Sequence, residues 1–229
     1  MTSHSASNRY YLQMGALLLI LVVVGFGSAM ISNNRNLVDF PLLFHIHALV
    51  YISWFLLFIF QALLIGKLNH NLHKKLGYSS ILLVVAMLVS AFMMASHTFT
   101  NGVSPVPIMT LPQFLSLPVL DGIGLFIFFA VAFFNRHNAL THKHSMLVAC
   151  IVIMDPAIAR LAMAIGIPPA ALIIHLALIG LLITHDWRAR SKVHLITWLG
   201  LAWLIFRVVF VFTIASSQMW ADWMNKLFN

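Results

Sequence analysis

Seven apolar stretches of roughly membrane-spanning length follow one another along the chain, near 11–31, 43–66, 78–97, 119–135, 144–166, 169–185 and 193–215. A transmembrane helix needs about 20 mostly apolar residues. Only helices and closed barrels satisfy every backbone polar group in hydrocarbon, and runs of this length read as helices. The sequence therefore predicts an all-α membrane protein, a bundle of seven transmembrane helices. Residues 1–229 read as a single transmembrane domain.

Composition agrees. Hydrophobic residues make up 62% of the 229 and charged residues 8%. A soluble domain carries about 25% charged residues, so too little polar surface remains to face water on all sides. The net charge of +8 does not point to nucleic acid, because the basic residues sit in short loops between spans. Arg9, Lys67, Lys74, Lys75, Arg136, Lys143, Arg188, Arg190 and Lys192 fall on one side, and Arg35 and Lys226 on the other. The positive-inside rule then places the N-terminus in the cytoplasm and the C-terminus outside, with Trp220 and Trp223 anchoring the outer end. The expected location is a bacterial cytoplasmic membrane. The expected neighbours are the bilayer and either a second copy of the chain or the other subunits of a membrane complex. Gly27-Ser28-Ala29 offers a signal-peptide cleavage site, but the run Leu12–Ile31 is long for a signal sequence and long enough to span.

The loop from about 98 to 118 carries Pro105, Pro107, Pro112 and Pro118 and no charge. Proline disfavours a regular helix there. Val106, Ile108, Met109, Leu111 and Phe114 suit either a re-entrant cap or a loop resting on headgroups.

An ionisable residue inside a membrane is costly and marks a functional site by default. His47, His97, Asp155, Arg160, His175 and Arg207 meet that condition. In the second span His47, Tyr51, Trp54, Phe58 and Gln61 share one helical face. Gln61 lies deep and needs a partner inside the protein. In the third, Ser90, Met94 and His97 share a face, and thioether with imidazole suits Cu(I). In the fifth, His142, Met146, Ile153 and Arg160 align over five turns. Asp155 there needs Arg160, Arg207 or a proton to neutralise it.

A second layer, His70, His73, His142, His144, His185 and His194, lies at the cytoplasmic edge. His73, His142 and His194 precede three helices at similar depth, which would suit Zn²⁺ with an open fourth position. Helix N-termini, however, favour anions over cations. Cys150, the one cysteine, excludes an intrachain disulfide and reads as a packing residue. Without Glu, paired-glutamate di-iron chemistry is excluded, and no HExxH, P-loop or GxGxxG motif occurs.

The set His47, Trp54, Gln61, Leu64, His73 and Gly77, then His142, Met146 and His194, resembles a group of uncharacterised bacterial multi-pass membrane proteins. The architecture is also similar to that of membrane b-type cytochromes, in which histidines of different helices ligate haem. That resemblance implies haem b, and depth alone suggests pairing His47 with His175 and His73 with His142. Seven helices with cytoplasmic histidines further resemble the adiponectin-receptor type of zinc hydrolase.

Twelve histidines in a chain with five carboxylates favour a haem or transition-metal protein (Zn or Cu) for membrane redox or cofactor-maturation work. Two alternatives stand beside it. One is a proton or small-anion transporter using Asp155, Arg160 and Arg207, with Pro156 marking a broken helix. The other is a zinc hydrolase built on His73, His142 and His194.

Overall fold

The computed structural model describes residues 2–102, 104–106 and 109–228, with side chains from Asn8 onward. Among them there are helices and no strands. The α-helices are α1 (Thr2–Ser32), α2 (Leu42–Gly66), α3 (His70–Asn101), α4 (Leu111–Phe134), α5 (Ala139–Val152), α6 (Asp155–Ala164), α7 (Ala170–Arg190), α8 (Leu195–Thr213) and α9 (Gln218–Phe228). Six of them are long and apolar enough to cross a membrane, and seven spans result if α5 and α6, bent by 44° at their junction, count as one. The protein is built as an integral membrane protein.

Local chemistry sets the boundaries. Asn69, Thr110 and Asn138 accept hydrogen bonds from the backbone N–H of Leu72, Gln113 and Thr141 and so cap α3, α4 and α5. Gly102 ends α3 in the left-handed region, at φ +70°, where a side chain is disfavoured. Gly166 and Pro168-Pro169 separate α6 from α7.

Two expectations change. The segment from 98 to 118 is mostly helix: α3 runs on to Asn101 and α4 starts at Leu111. Pro112 sits in the first turn of α4, where a missing N–H costs nothing. Pro118 is carried inside the same helix, seven residues from its start. Pro107 and Ile108 of the expected cap lie outside the described residues. The second change is in the fifth span. Pro156 cannot donate to the carbonyl four residues back and its ring crowds that carbonyl, so the ladder stops at Val152 and restarts at Asp155.

α5 is the central element. It packs against α1, α4, α7 and α8, and the run Leu147–Val152 is fully buried. A helix that is apolar all round belongs in such a place. The outer helices bury one face only. Their other face is apolar too, with Ile20, Leu49, Leu82, Phe126 and Phe212 more than half exposed. Hydrocarbon is the solvent that suits that surface.

α1 and α6 meet closely at Gly25. A Cβ built there would lie 2.2 Å from the carbonyl oxygen of Ala157, well inside contact distance and against backbone that cannot swing away. Gly25→Ala should therefore push α6 off α1 and cost about 1–3 kcal/mol. The check is the thermal midpoint of the detergent-purified protein, which should fall in this variant and hold in Gly27→Ala, where nothing lies within 4 Å.

Candidate functional site: two buried polar networks

The first network lies inside the bundle and joins four helices. Arg207 of α8 stands between two carboxylates. Its Nη1 is 3.3 Å from Asp121 Oδ1 of α4, and its Nη2 is in direct contact with Asp155 Oδ2 at the start of α6. His175 of α7 closes the group, its Nδ1 3.4 Å from Asp155 Oδ1 and 3.2 Å from the Ala171 carbonyl. Arg207 is 5% exposed, Asp121 6% and His175 4%. Asp155 is half-buried at the helix break, and the N-terminal partial charge of α6 favours its carboxylate.

Hydrogen bonding within the group is incomplete. Among the described residues Arg207 Nε and His175 Nε2 are buried without a partner, and the Arg207–Asp121 contact lacks hydrogen-bond geometry. Nδ1 of His175 faces two acceptors and so carries the ring's proton. Nε2 is then left buried with its lone pair unmatched. Such an orphan group in a buried network calls for an explanation. Charge counting gives one. Two carboxylates and one guanidinium sum to −1, and low-dielectric surroundings penalise a net charge. A single proton on His175 Nε2 brings the quartet to neutrality.

Asp155 and Arg207 are the pairing that the sequence expectation allowed. Asp121 of α4 joins them. Arg160 does not. It donates to the Pro156 carbonyl of its own helix at 2.8 Å and lies over the Phe26 ring, and it pairs with no carboxylate among the described residues. The 44° bend removes the continuous face that would have aligned it with His142.

His47 is a neighbour of Ser90 and Tyr51. Its Nδ1 donates to Ser90 Oγ at 3.2 Å, and its ring centre is 4.3 Å from that of Tyr51. His47 and His175 thus serve different neighbours. His97 meets Asn101 and Phe44.

The second network lies at the end carrying most of the basic residues. Asp186 of α7 is fully buried and accepts four hydrogen bonds. Oδ1 takes His144 Nε2 at 2.6 Å and Arg190 Nη2. Oδ2 takes the His194 backbone N–H at 3.0 Å and Thr197 Oγ1 at 2.7 Å. Tyr11 of α1 reaches His144 Nδ1 at 3.0 Å. The His194 ring packs on His144 at 4.6 Å and accepts from the Ile196 N–H, capping α8. Burial, with His144 and Arg190 close by, holds the His194 imidazole below its ordinary pKa. His185 stacks flat on Tyr10 at 3.7 Å. With every lone pair used, Asp186 is a hub tying α1, α5, α7 and α8 together. In the sequence its one distinguishing signal is being the lone carboxylate among the many basic residues of this end.

The cytoplasmic histidine layer thus divides. His144 and His194 belong to the Asp186 hub. His73 and His142 form a separate pair, ring centres 6.4 Å apart and planes nearly perpendicular. The expected His73, His142 and His194 triad is not gathered. Among the described residues no group of three or more His, Cys, Asp or Glu side chains could hold a metal ion. Cys150 is buried in the α5 core, as a packing residue.

No protein-family model matches the chain, no curated protein is significantly similar to it, and no solved structure matches it significantly. The chain's own geometry carries the functional argument.

Proposed function

We propose that the protein is a proton transporter of the bacterial cytoplasmic membrane, with its basic end and N-terminus in the cytoplasm. Its proton-loading site is the quartet of Asp121, Asp155, His175 and Arg207. The observation that carries this reading is the buried, unpartnered His175 Nε2 beside an ion trio of net charge −1. A site one proton short of neutrality inside hydrocarbon takes up and gives back that proton as its access to water changes. The second support is the helix break at Ile153–Met154, next to Asp155. Discontinuous spans are where transporters place ion sites and where they flex.

Asp155→Asn keeps the size of the side chain and removes its charge. In liposomes carrying the purified protein, an imposed pH gradient should drive proton flux through the wild type. Flux should fall to the protein-free background in Asp155→Asn, while Asp222→Asn, at an exposed carboxylate of α9, transports normally. Equal flux in wild type and Asp155→Asn would refute the proposal.

A second reading, a protein that holds haem or a transition metal, rests on the His73–His142 pair alone. The two rings approach from α3 and α5, and imidazole is a ligand for Fe, Cu and Zn.

A further inference from the structure

The His73–His142 pair lies within a small group of buried polar atoms that satisfy one another poorly. His142 Nδ1 is 2.9 Å from the Ala132 carbonyl, so it donates there and leaves Nε2 with its lone pair. That is the outer-shell arrangement which orients a metal-binding histidine. Among the described residues His73 Nδ1 is buried with no well-aligned hydrogen-bond partner, although its ring lies against the Gln61 backbone of α2. The Gln61 amide oxygen and nitrogen are likewise buried and unpartnered among those residues. Three helices thus bring three orphaned buried atoms and one oriented lone pair to one place. Each unmatched atom costs about 1–3 kcal/mol, and a ligand held between the two rings would match the imidazole nitrogens that face it.

The geometry also selects the ligand. Two imidazoles bound about 2.0 Å from one ion, each with its ring centre about 1.1 Å further out, have centres about 6.2 Å apart if the ion lies on the line between them. A tetrahedral angle brings the centres to about 5.1 Å. The observed 6.4 Å fits the linear case. No carboxylate pairs with either ring among the described residues, and His70 and Lys74 are close enough to act on His73. A divalent ion would hold both its charges here uncompensated, and the desolvation cost rises with the square of the charge. Cu(I) is monovalent, accepts two neutral imidazoles and suits wide angles.

We infer that His73 Nδ1 and His142 Nε2 form a two-coordinate Cu(I) site at the basic end of the bundle, with the Gln61 amide as its neighbour. The site stands apart from the proton quartet, and neither proposal depends on the other.

The test uses the full chain in lipid nanodiscs, with Cu(I) supplied anaerobically as its acetonitrile complex and competed against a chromogenic chelator. The wild type should bind one Cu(I) per chain. His73→Asn and His142→Asn should each weaken that binding roughly tenfold or more, and His97→Asn, at the opposite end, should leave it unchanged. X-ray absorption of the copper-loaded wild type should show two nitrogen neighbours and the pre-edge feature of linear Cu(I), a result that does not depend on any variant folding. A wild type that binds no Cu(I), binding that survives both substitutions, or a copper shell of four ligands would each overturn the inference.

Discussion

Arg207→Leu should be the most damaging single substitution in the bundle, lowering stability by about 3–5 kcal/mol. The guanidinium is the one cation in contact with both Asp121 and Asp155. Leucine fills much of the space but leaves the Asp121 and Asp155 carboxylates without their shared cation. Breaking a buried pair from one side is costly because the remaining charge has no partner, whereas removing all the partners together can be nearly neutral. The triple variant Arg207→Leu, Asp121→Asn, Asp155→Asn should therefore recover much of the lost stability. Thermal midpoints in one detergent would show this as a large fall in the single variant and a partial return in the triple. A structural clamp and a proton site both predict this stability pattern. Only the proton site predicts that the recovered triple variant stays inactive in the liposome assay.

Asp186→Ala should rank close behind. It strips His144 Nε2, Arg190, Thr197 Oγ1 and the His194 N–H of their acceptor at one stroke. Each buried donor left unmatched costs about 1–3 kcal/mol, although Arg190 and the loop groups can turn partly to water. A net loss of about 3–5 kcal/mol follows, the range for removing one partner of a buried charged pair. The damage should be local first. α8 loses the anchor of its N-terminal cap, and α1 loses the Tyr11–His144–Asp186 connection. Hydrogen exchange should then rise at residues 191–198 in Asp186→Ala before the rest of the bundle opens. Asp39→Ala, at the far end, should leave those amides protected. Uniform loss of protection with no early opening at 191–198 would show that Asp186 does not act as the hub described.

The spans were legible because hydrocarbon imposes length and apolarity on every helix that crosses it. The intramembrane charges were legible for the same reason: Asp155, His175 and Arg207 stand out against apolar neighbours. Their partners were harder to read. A helical wheel gives directions around one helix and says nothing about which neighbour it faces. Arg160 looked like a partner for Asp155 from its place on the same span, yet it turns back to the Pro156 carbonyl. Asp121 lies well inside α4, nearly buried, and which helix it faces could not be read from its own span. Those outcomes depend on how α4, α6, α7 and α8 meet, which is tertiary information.

Proline misled in one place and helped in another. Pro112 and Pro118 suggested a loop, but the first occupies a helix start and the second is absorbed within α4. Pro156 did mark a break, because there it follows directly on a buried helix whose ladder it interrupts. The histidine layer at the basic end was legible as a layer. Its division into an Asp186 hub and a His73–His142 pair was not, since depth along the membrane normal cannot say which rings are neighbours within the plane.

The most direct test of the proton site is the infrared difference spectrum of the lipid-reconstituted protein between alkaline and acidic pH. It should be compared among wild type, Asp155→Asn and His175→Gln. The wild type should take up a proton within the quartet, seen as an imidazolium band with coupled shifts of the aspartate carboxylates, and those features should vanish in both variants. Difference spectra that are the same in all three proteins would contradict the account, leaving the quartet as an inert clamp.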